Sequence, residues 1–399
     1  MARRIIAFYL ILMITLASVP AVYANQDSGN AKMPAYVVMS ADTGQIVMEK
    51  SSTASTNISL LHRMMVCLLA LENLDPVLTA DLSCQTYTVP DLLKLSLLAD
   101  NAAATAALSN LLTPVTDSLL VMMNRRAEEI GLASTLFTAA EESNAEYSHT
   151  TLRDVARFLS FASANPEFKA LYCTQATVLT ADGTLISNNN RLVLSAGGTR
   201  NVGGTLGSYS QEGKSYYAMS YMGNITAQGN DSTMSLILVA DHIRGNNYEL
   251  WGETVLANLK DSYYKIPVVT ESQVLLTLPI GNESLNITAS STVYCITSAQ
   301  AENPVSQISF TMNPGYDMTD MEPPVIAGTE IGTANILLYD GTTVAVPIRA
   351  GNSIYFQNEK INNFFTALIS NRQILILICL LLGAELLLVI GKLKLRLGR

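Results

Sequence analysis

Ile374 to Gly391 reads ILILICLLLGAELLLVIG, an apolar run whose one charge is Glu385. As a helix, eighteen residues rise about 27 Å, close to the thickness of a hydrocarbon core, so the run predicts a membrane span. Lys392, Lys394, Arg396 and Arg399 follow at once, whereas only Arg372 stands just before it. Basic residues concentrate on the cytoplasmic flank of a span, which places the bulk of the chain outside and residues 392–399 inside as a basic tail. An amphipathic helix lying on the membrane is the alternative. The run lacks the charged face that such helices carry.

The other end carries an export pattern. Arg3 and Arg4 precede an apolar stretch from Ile5 to about Ala17, and Val22-Tyr23-Ala24 offers a small-residue cleavage site. Residues 1–24 are therefore expected to be a signal peptide, with an uncleaved anchor as the alternative. Both readings put the following residues outside the cytoplasm, in a single-pass protein of the cell membrane.

Between these ends lies enough chain for two domains with cores of their own. The net charge of −9 argues against a nucleic-acid partner, which would need clustered Lys and Arg. The three histidines are scattered and the cysteines show no metal-ligand spacing, so no metal and no cofactor are expected. Cys67 falls in an apolar helical run and reads as a buried thiol. The pairing of Cys84, Cys173 and Cys295 stays open.

Residues 25–266 mix strands and helices. Ala35–Met39 and Gln45–Glu49 flank Ala41-Asp42-Thr43-Gly44 as a hairpin. Leu60, Leu61, Met64, Met65, Leu68 and Leu69 recur at helical spacing over Ser59–Leu74. Further helices are expected at Val89–Leu98, Ala102–Leu111, Val115–Ile130, Thr150–Ala164 and Tyr248–Leu259, and strands at Leu192–Leu194, Ser215–Met222 and Ser235–Ala240. Strands at both ends with helices between suggest an α/β domain with a largely antiparallel sheet. From Pro267 the texture changes to short alternating strands such as Gln273–Leu278, Val293–Thr297, Ile336–Tyr339 and Thr343–Val346. Residues 267–357 are expected to be a small all-β domain, joined to the span (374–391) by a linker over 358–373.

The stretch ADTGQIVMEKSSTASTNISLLHRMMVCLLALE (Ala41–Glu72) resembles the start of the low-molecular-mass penicillin-binding proteins, the serine-type D-Ala-D-Ala carboxypeptidases. In that family a D-x-x-T-G hairpin precedes A-S-L-T-K-x-M-T on a helix. VPDLLKLSLLADNAAATAAL (Val89–Leu108) is similar to the segment ending in S-G-N-D-A-A, and Met123-Asn124 through Gly131-Leu132 to M-N-x-x-A-x-x-L-G-M. His149–Ala156 is a looser match to H-x-S-T-A-x-D-L-A. Asn188-Asn189-Asn190-Arg191-Leu192 resembles N-T-N-x-L-L, and Glu322–Ala350 the β-rich C-terminal domain. The resemblance implies a penicillin-binding, β-lactamase/transpeptidase-like α/β fold, followed by the small all-β domain and the transmembrane helix.

It also implies a site. Family members attack the carbonyl between two D-alanines with a serine; a lysine one helical turn later shares the proton work, S-x-N supplies a hydroxyl and an amide, and K-T-G on a strand binds the substrate carboxylate and lines the edge where the peptide pairs. Here the first motif is read as Ser59-Leu60-Leu61-His62, with Ser59 at the nucleophile position and His62 at the lysine position. Without the resemblance, Ser59 reads as the N-cap of an apolar helix. The second motif aligns as Ala99-Asp100-Asn101: the hydroxyl is lost and Asn101 keeps the amide, though it also suits an N-cap. The third aligns on Gly203-Gly204-Thr205-Leu206-Gly207, with Thr205 in place of lysine, Leu206 in place of threonine, and Gly207 kept for close backbone approach. Each lost proton-transfer or anchoring group costs about 10²–10⁴ in rate, and groups that act together fail together. The expectation is a cell-envelope pseudoenzyme that binds peptidoglycan stem peptides or an envelope protein. The alternative is a divergent but active carboxypeptidase in which His62 serves Ser59 as a base.

Overall fold

The computed structural model describes residues 34–355, apart from 84, 114–117, 141–146, 196–200, 212, 228–231, 246, 299–303, 320 and 340, and in addition 376, 380–383 and 385–386. The expected signal peptide, linker and basic tail, and most of the Ile374–Gly391 run, lie outside these residues. Among the described residues no helix is long and apolar enough to cross a membrane. The chain forms two compact units, Met1–Tyr263 and Tyr264–Arg399.

The first unit opens with the hairpin β1 (Ala35–Ser40) and β2 (Ile46–Lys50), and Gly44 in its turn takes a φ of +71°. A short β3 (Ser55–Thr56) leads into α1 (Ser59–Asn73), in which every residue from Leu60 to Ala70 is buried. A helix apolar on nearly all sides belongs at the centre of a core. Each fully buried Leu or Met there contributes about 1.5–3 kcal/mol. The hairpin β4 (Thr79–Leu82) and β5 (Gln85–Thr88) precedes α2 (Val89–Ala99). Next come α3 (Ala102–Leu112) and α4 (Leu119–Ile130). The latter starts later than Val115 because the Ser118 side chain accepts the Val121 N–H and caps it.

β6 (Thr150–Thr151) pairs with β3, and α5 (Leu152–Ala162) begins only after Thr151, whose hydroxyl caps it. Its apolar face (Leu152, Val155, Ala156, Leu159) packs on the sheet. After α6 (Pro166–Tyr172), the ribbon β7 (Ala176–Val178) and β8 (Leu185–Ser187) reaches α7 (Arg191–Ser195). The strand expected at Leu192–Leu194 is thus a helical turn: Asn190 Oδ1 accepts the Leu192 N–H at 3.1 Å and starts it, and a local cap overrides an apolar triplet.

The long strands β9 (Gly203–Gln211), β10 (Lys214–Thr226) and β11 (Thr233–Arg244) complete an antiparallel sheet of order β2-β1-β11-β10-β9, and α8 (Tyr248–Ser262) closes the unit. β9 therefore stands at a sheet edge. Gly203 and Gly204 admit no side chain: a Cβ at Gly204 would lie 2.5 Å from the Ser220 carbonyl oxygen, and at Gly203 2.6 Å from that of Tyr172.

The second unit starts one residue into β12 (Tyr263–Val269), which pairs with β15 (Val293–Ser298). Its main sheet is antiparallel, in the order β13 (Val274–Ile280), β14 (Glu283–Ala289), β18 (Thr343–Ala350), β17 (Glu330–Leu338) and β16 (Val305–Met312). Val344, Val346, Ile348 and Ala350 are buried at every second position of β18, the period of a strand with one face on a core.

Candidate functional site

The helix α1 places its residues by rotation, about 100° per residue. Ile58 precedes it without a side-chain cap, and Asn57 Oδ1 accepts the Ser59 N–H at 2.8 Å. Ser59 is thus the first residue inside the helix, half-buried, rather than its cap. His62 is 1% exposed. Its Nε2 lies 3.0 Å from the Ala140 carbonyl oxygen and its ring meets Phe137 edge-on, with centroids 6.2 Å apart. These contacts lie on the side of α1 that faces the Phe137–Ala140 loop.

The side facing β9 carries Leu60 and Arg63. A Cβ built on Gly207 would stand 3.5 Å from Arg63 Nη2 and 3.9 Å from Leu60 Cδ1, so both side chains cover that glycine. Arg63 is 3% exposed and reaches all three segments that the motifs occupy. Its Nη1 pairs with Asp100 Oδ1, and its Nη2 donates to Thr205 Oγ1 at 3.1 Å and to the Leu206 carbonyl at 3.0 Å. No reading of the sequence above singled it out. The signal was there: sliding A-S-L-T-K-x-M-T by one residue sets Ser59 under A, Leu60 under S, Arg63 under K and Met65 under M.

Asp100 follows α2 in the left-handed region (φ 55°, ψ 38°), where the family's S-G-N has glycine. Its Oδ2 accepts the Ser208 N–H at 3.2 Å. Asn101 caps α3 by accepting the Ala104 N–H at 3.0 Å, so its amide oxygen has a structural task. Thr205 is fully buried: its hydroxyl donates to the Leu97 carbonyl at 2.6 Å and accepts from Arg63, tying β9 to α2 and α1. Gly207 is buried beneath Arg63 and Leu60, and the room it leaves would hold a methyl group at ordinary contact distances.

The outward edge of β9 is bonded by side chains. Asn188 Nδ2 donates to the Gly204 carbonyl at 2.9 Å. The Asn189 amide donates to the Leu206 carbonyl at 2.9 Å and accepts the Leu206 N–H at 3.3 Å. With Asp100 on Ser208 and Arg63 on Leu206, the Gly204 and Leu206 carbonyls and the Leu206 and Ser208 N–H groups, four that a docking strand would use, are already engaged.

A second polar cluster lies on β11, and Tyr209 of β9 reaches it. β11 bulges where Asp241 and His242 fall between the pairs Met219↔Ala240 and Tyr217↔Ile243, and His242 has a φ of +61°. Asp241 is 1% exposed; it accepts from the Tyr209 hydroxyl at 2.7 Å, from Thr56 Oγ1 and from the His242 N–H at 2.6 Å, with His242 Nδ1 at 3.2 Å. Burial pushes its carboxyl up, but the bonds from His242, Thr56 and Tyr209 outweigh this and hold it below the usual carboxylate range. Cys67 is a buried thiol, as its apolar surroundings suggested, pushed up to about 11 by burial. Among the described residues no cluster of His, Cys, Asp and Glu could hold a metal ion.

Residues 79–240 match the family described as D-alanyl-D-alanine carboxypeptidase, Peptidase S11; the match begins after α1. No curated protein matches the chain. Penicillin-binding protein 5 from Haemophilus influenzae is similar in structure, with a TM-score of 0.58 and 16% identity over 83% of this chain and 100% of that one. The peptidoglycan synthesis regulatory factor PBP3 from Streptococcus pneumoniae has a TM-score of 0.56 and 15% identity over 80% of this chain and 98% of its own. The carboxypeptidase DacD from Francisella tularensis has a TM-score of 0.51 and 17% identity, over 85% and 99%.

Proposed function

For a chain that is a relative of the D-alanyl-D-alanine carboxypeptidases and low-molecular-mass penicillin-binding proteins, we propose a catalytically silent homologue, tethered to the membrane with its bulk outside the cytoplasm, that serves peptidoglycan or partner binding. The peptidoglycan context follows from the relatives. The silence is supported above all by Arg63, the residue of α1 that reaches both the second and the third motif.

A guanidinium has no acceptor and does not deprotonate in proteins, so it cannot take a proton from a nucleophile. Read with the motif shifted by one, the nucleophile position facing β9 holds Leu60, a hydrocarbon. Ala99 brings no hydroxyl, and the hydroxyl of Thr205 is committed to Leu97 and Arg63. The contacts of His62 with Ala140 and Phe137 do not favour the alternative, an enzyme using Ser59 with His62.

The experiment is incubation of the exported region with benzylpenicillin, followed by intact mass measurement. No adduct is expected. A stoichiometric adduct that disappears in Ser59→Ala would overturn this reading in favour of an active enzyme. The anchor is tested by protease treatment of spheroplasts: the bulk should be digested and a C-terminal tag spared. An exposed tag would refute the single span.

A further inference from the structure

The bonds on the free edge of β9 have the pattern of a bound ligand. At Leu206 the Asn189 side-chain amide both donates and accepts, as a paired peptide group would. At Ser208, one strand repeat further on, the Asp100 carboxylate accepts the N–H with one oxygen and pairs with Arg63 through the other. An amide followed along an edge by a carboxylate on a guanidinium is the chemistry of a peptide terminus in a cleft. The backbone supports a substituted rather than an inherited arrangement. Asp100 holds a left-handed φ of 55°, where a residue without Cβ is at ease, and aspartate there costs conformational energy that the ion pair and the Ser208 bond offset. Its side chain is still 29% exposed, against 4% for Arg63, so it is the partner that can leave towards solvent.

We propose that Asp100 is an intramolecular latch: it occupies a carboxylate recess built by Arg63 and the Ser208 N–H, and a peptide ending in a free carboxylate enters the cleft only by displacing it. This rests on the proposed function, whose ligand class it keeps, and deepens it by naming what keeps the ligand out. Acylation plays no part in it.

The test uses the full chain in detergent, with N-acetyl-D-alanyl-D-alanine as probe, its C-terminal amide as control, and binding read by calorimetry and by thermal melting. Asp100→Gly should bind the acid at least tenfold more tightly than the wild-type chain does, prefer it over the amide, and gain melting temperature from it. Asp100→Asn tolerates the same φ and loses the charge, and it should show the same preference more weakly if Asp100→Gly folds poorly. Arg63→Met combined with Asp100→Gly should lose the preference for the acid. The latch is refuted if both single variants bind no better than wild type, or if the double variant keeps the preference. Benzylpenicillin labelling of the same variants separates the two ideas. A wild-type adduct would overturn the silent-enzyme reading, while the peptide result alone decides the latch.

Discussion

Two carboxylates mark the two ends of α2, and they are held in opposite ways. Asp91, in the first turn, is fully buried and accepts the Thr180 N–H at 2.8 Å, the Thr180 hydroxyl at 2.6 Å and the Ala181 N–H at 3.0 Å, with Lys94 Nζ at 3.0 Å. The helix N-terminus favours its charge as well. Asp100 lies between the end of α2 and the start of α3, whose opposite partial charges offset each other, and it rests on Arg63 and one N–H. The first carboxylate is fixed by four donors, two of them backbone N–H groups, and it is closed off from solvent. The second depends on a side chain from another helix. A buried carboxylate with four donors reads as architecture, and one held by a partly exposed ion pair and one N–H reads as something that can be exchanged.

The largest effect should come from removing the shared cation. Arg63→Ala takes one donor each from the Thr205 hydroxyl and the Leu206 carbonyl and leaves the partly exposed Asp100 without its guanidinium, a loss of about 3 kcal/mol, the low end for breaking a buried pair because only Arg63 is fully covered. Urea unfolding followed by fluorescence of Trp251, the one tryptophan, measures it in the first unit. A loss below about 1 kcal/mol would mean the pair is mostly solvated, and the contrast with Asp91 would collapse.

Asp91→Asn comes next, at about 1.5–3 kcal/mol, because hydrogen bonds to a charged group become bonds to a neutral one that also carries an unmatched NH₂. Its pH dependence sharpens the comparison. Burial pushes the Asp91 carboxyl up, but the bonds from Thr180, Lys94 and Ala181 outweigh it and hold the group below its ordinary value. A group depressed on folding stabilises fully above its unfolded pKa of about 3.9 and loses that contribution as the pH falls through the folded value. The gap between wild type and Asp91→Asn should therefore stay constant from pH 7 to about pH 5 and shrink below about pH 4. A gap that widens on acidification would reverse the sign.

Smaller still is the effect of removing both partners of the cleft pair. Arg63→Met with Asp100→Gly should lie within about 1.5 kcal/mol of wild type, since no charge is left without its partner and glycine suits the left-handed φ, which leaves only the donors lost at Thr205 and Leu206. The smallest change expected is Gly207→Ala. Its methyl group would meet Arg63 and Leu60 at 3.5 and 3.9 Å, and the stability should shift by less than about 0.5 kcal/mol. Gly204→Ala, on the same strand but without such room, should instead unfold or misregister β9, because its Cβ would fall 2.5 Å from the Ser220 oxygen.

Much of this architecture is legible in the chain because the signals are local. The turn at Ala41–Gly44, the apolar spacing of α1 and the alternation in β18 each come from neighbours in sequence, and the structure repeats them. The site is less legible. Whether His62 or Arg63 faces β9 depends on a 100° rotation of α1, and a helix buried on every side offers no polar face from which to read that rotation. The motif register was therefore ambiguous by one residue. Leu192–Leu194 failed for a related reason: three apolar residues suit a strand or a helical turn, and the Asn190 side chain, which accepts the Leu192 N–H, decided between them.

The sequence by itself determined the resemblance to the carboxypeptidase family, the central helix α1 and the hairpin before it, and the antiparallel α/β class of the first unit, since residue types and their local spacing carry these directly. Tertiary structure alone decided that Arg63 ties the three motif segments together, that Asp100 and Asn189 hold the free edge of β9, and that His62 turns towards Ala140. Each of these joins residues at least 17 positions apart, and no local pattern encodes which distant partner a buried charge or a strand edge will meet.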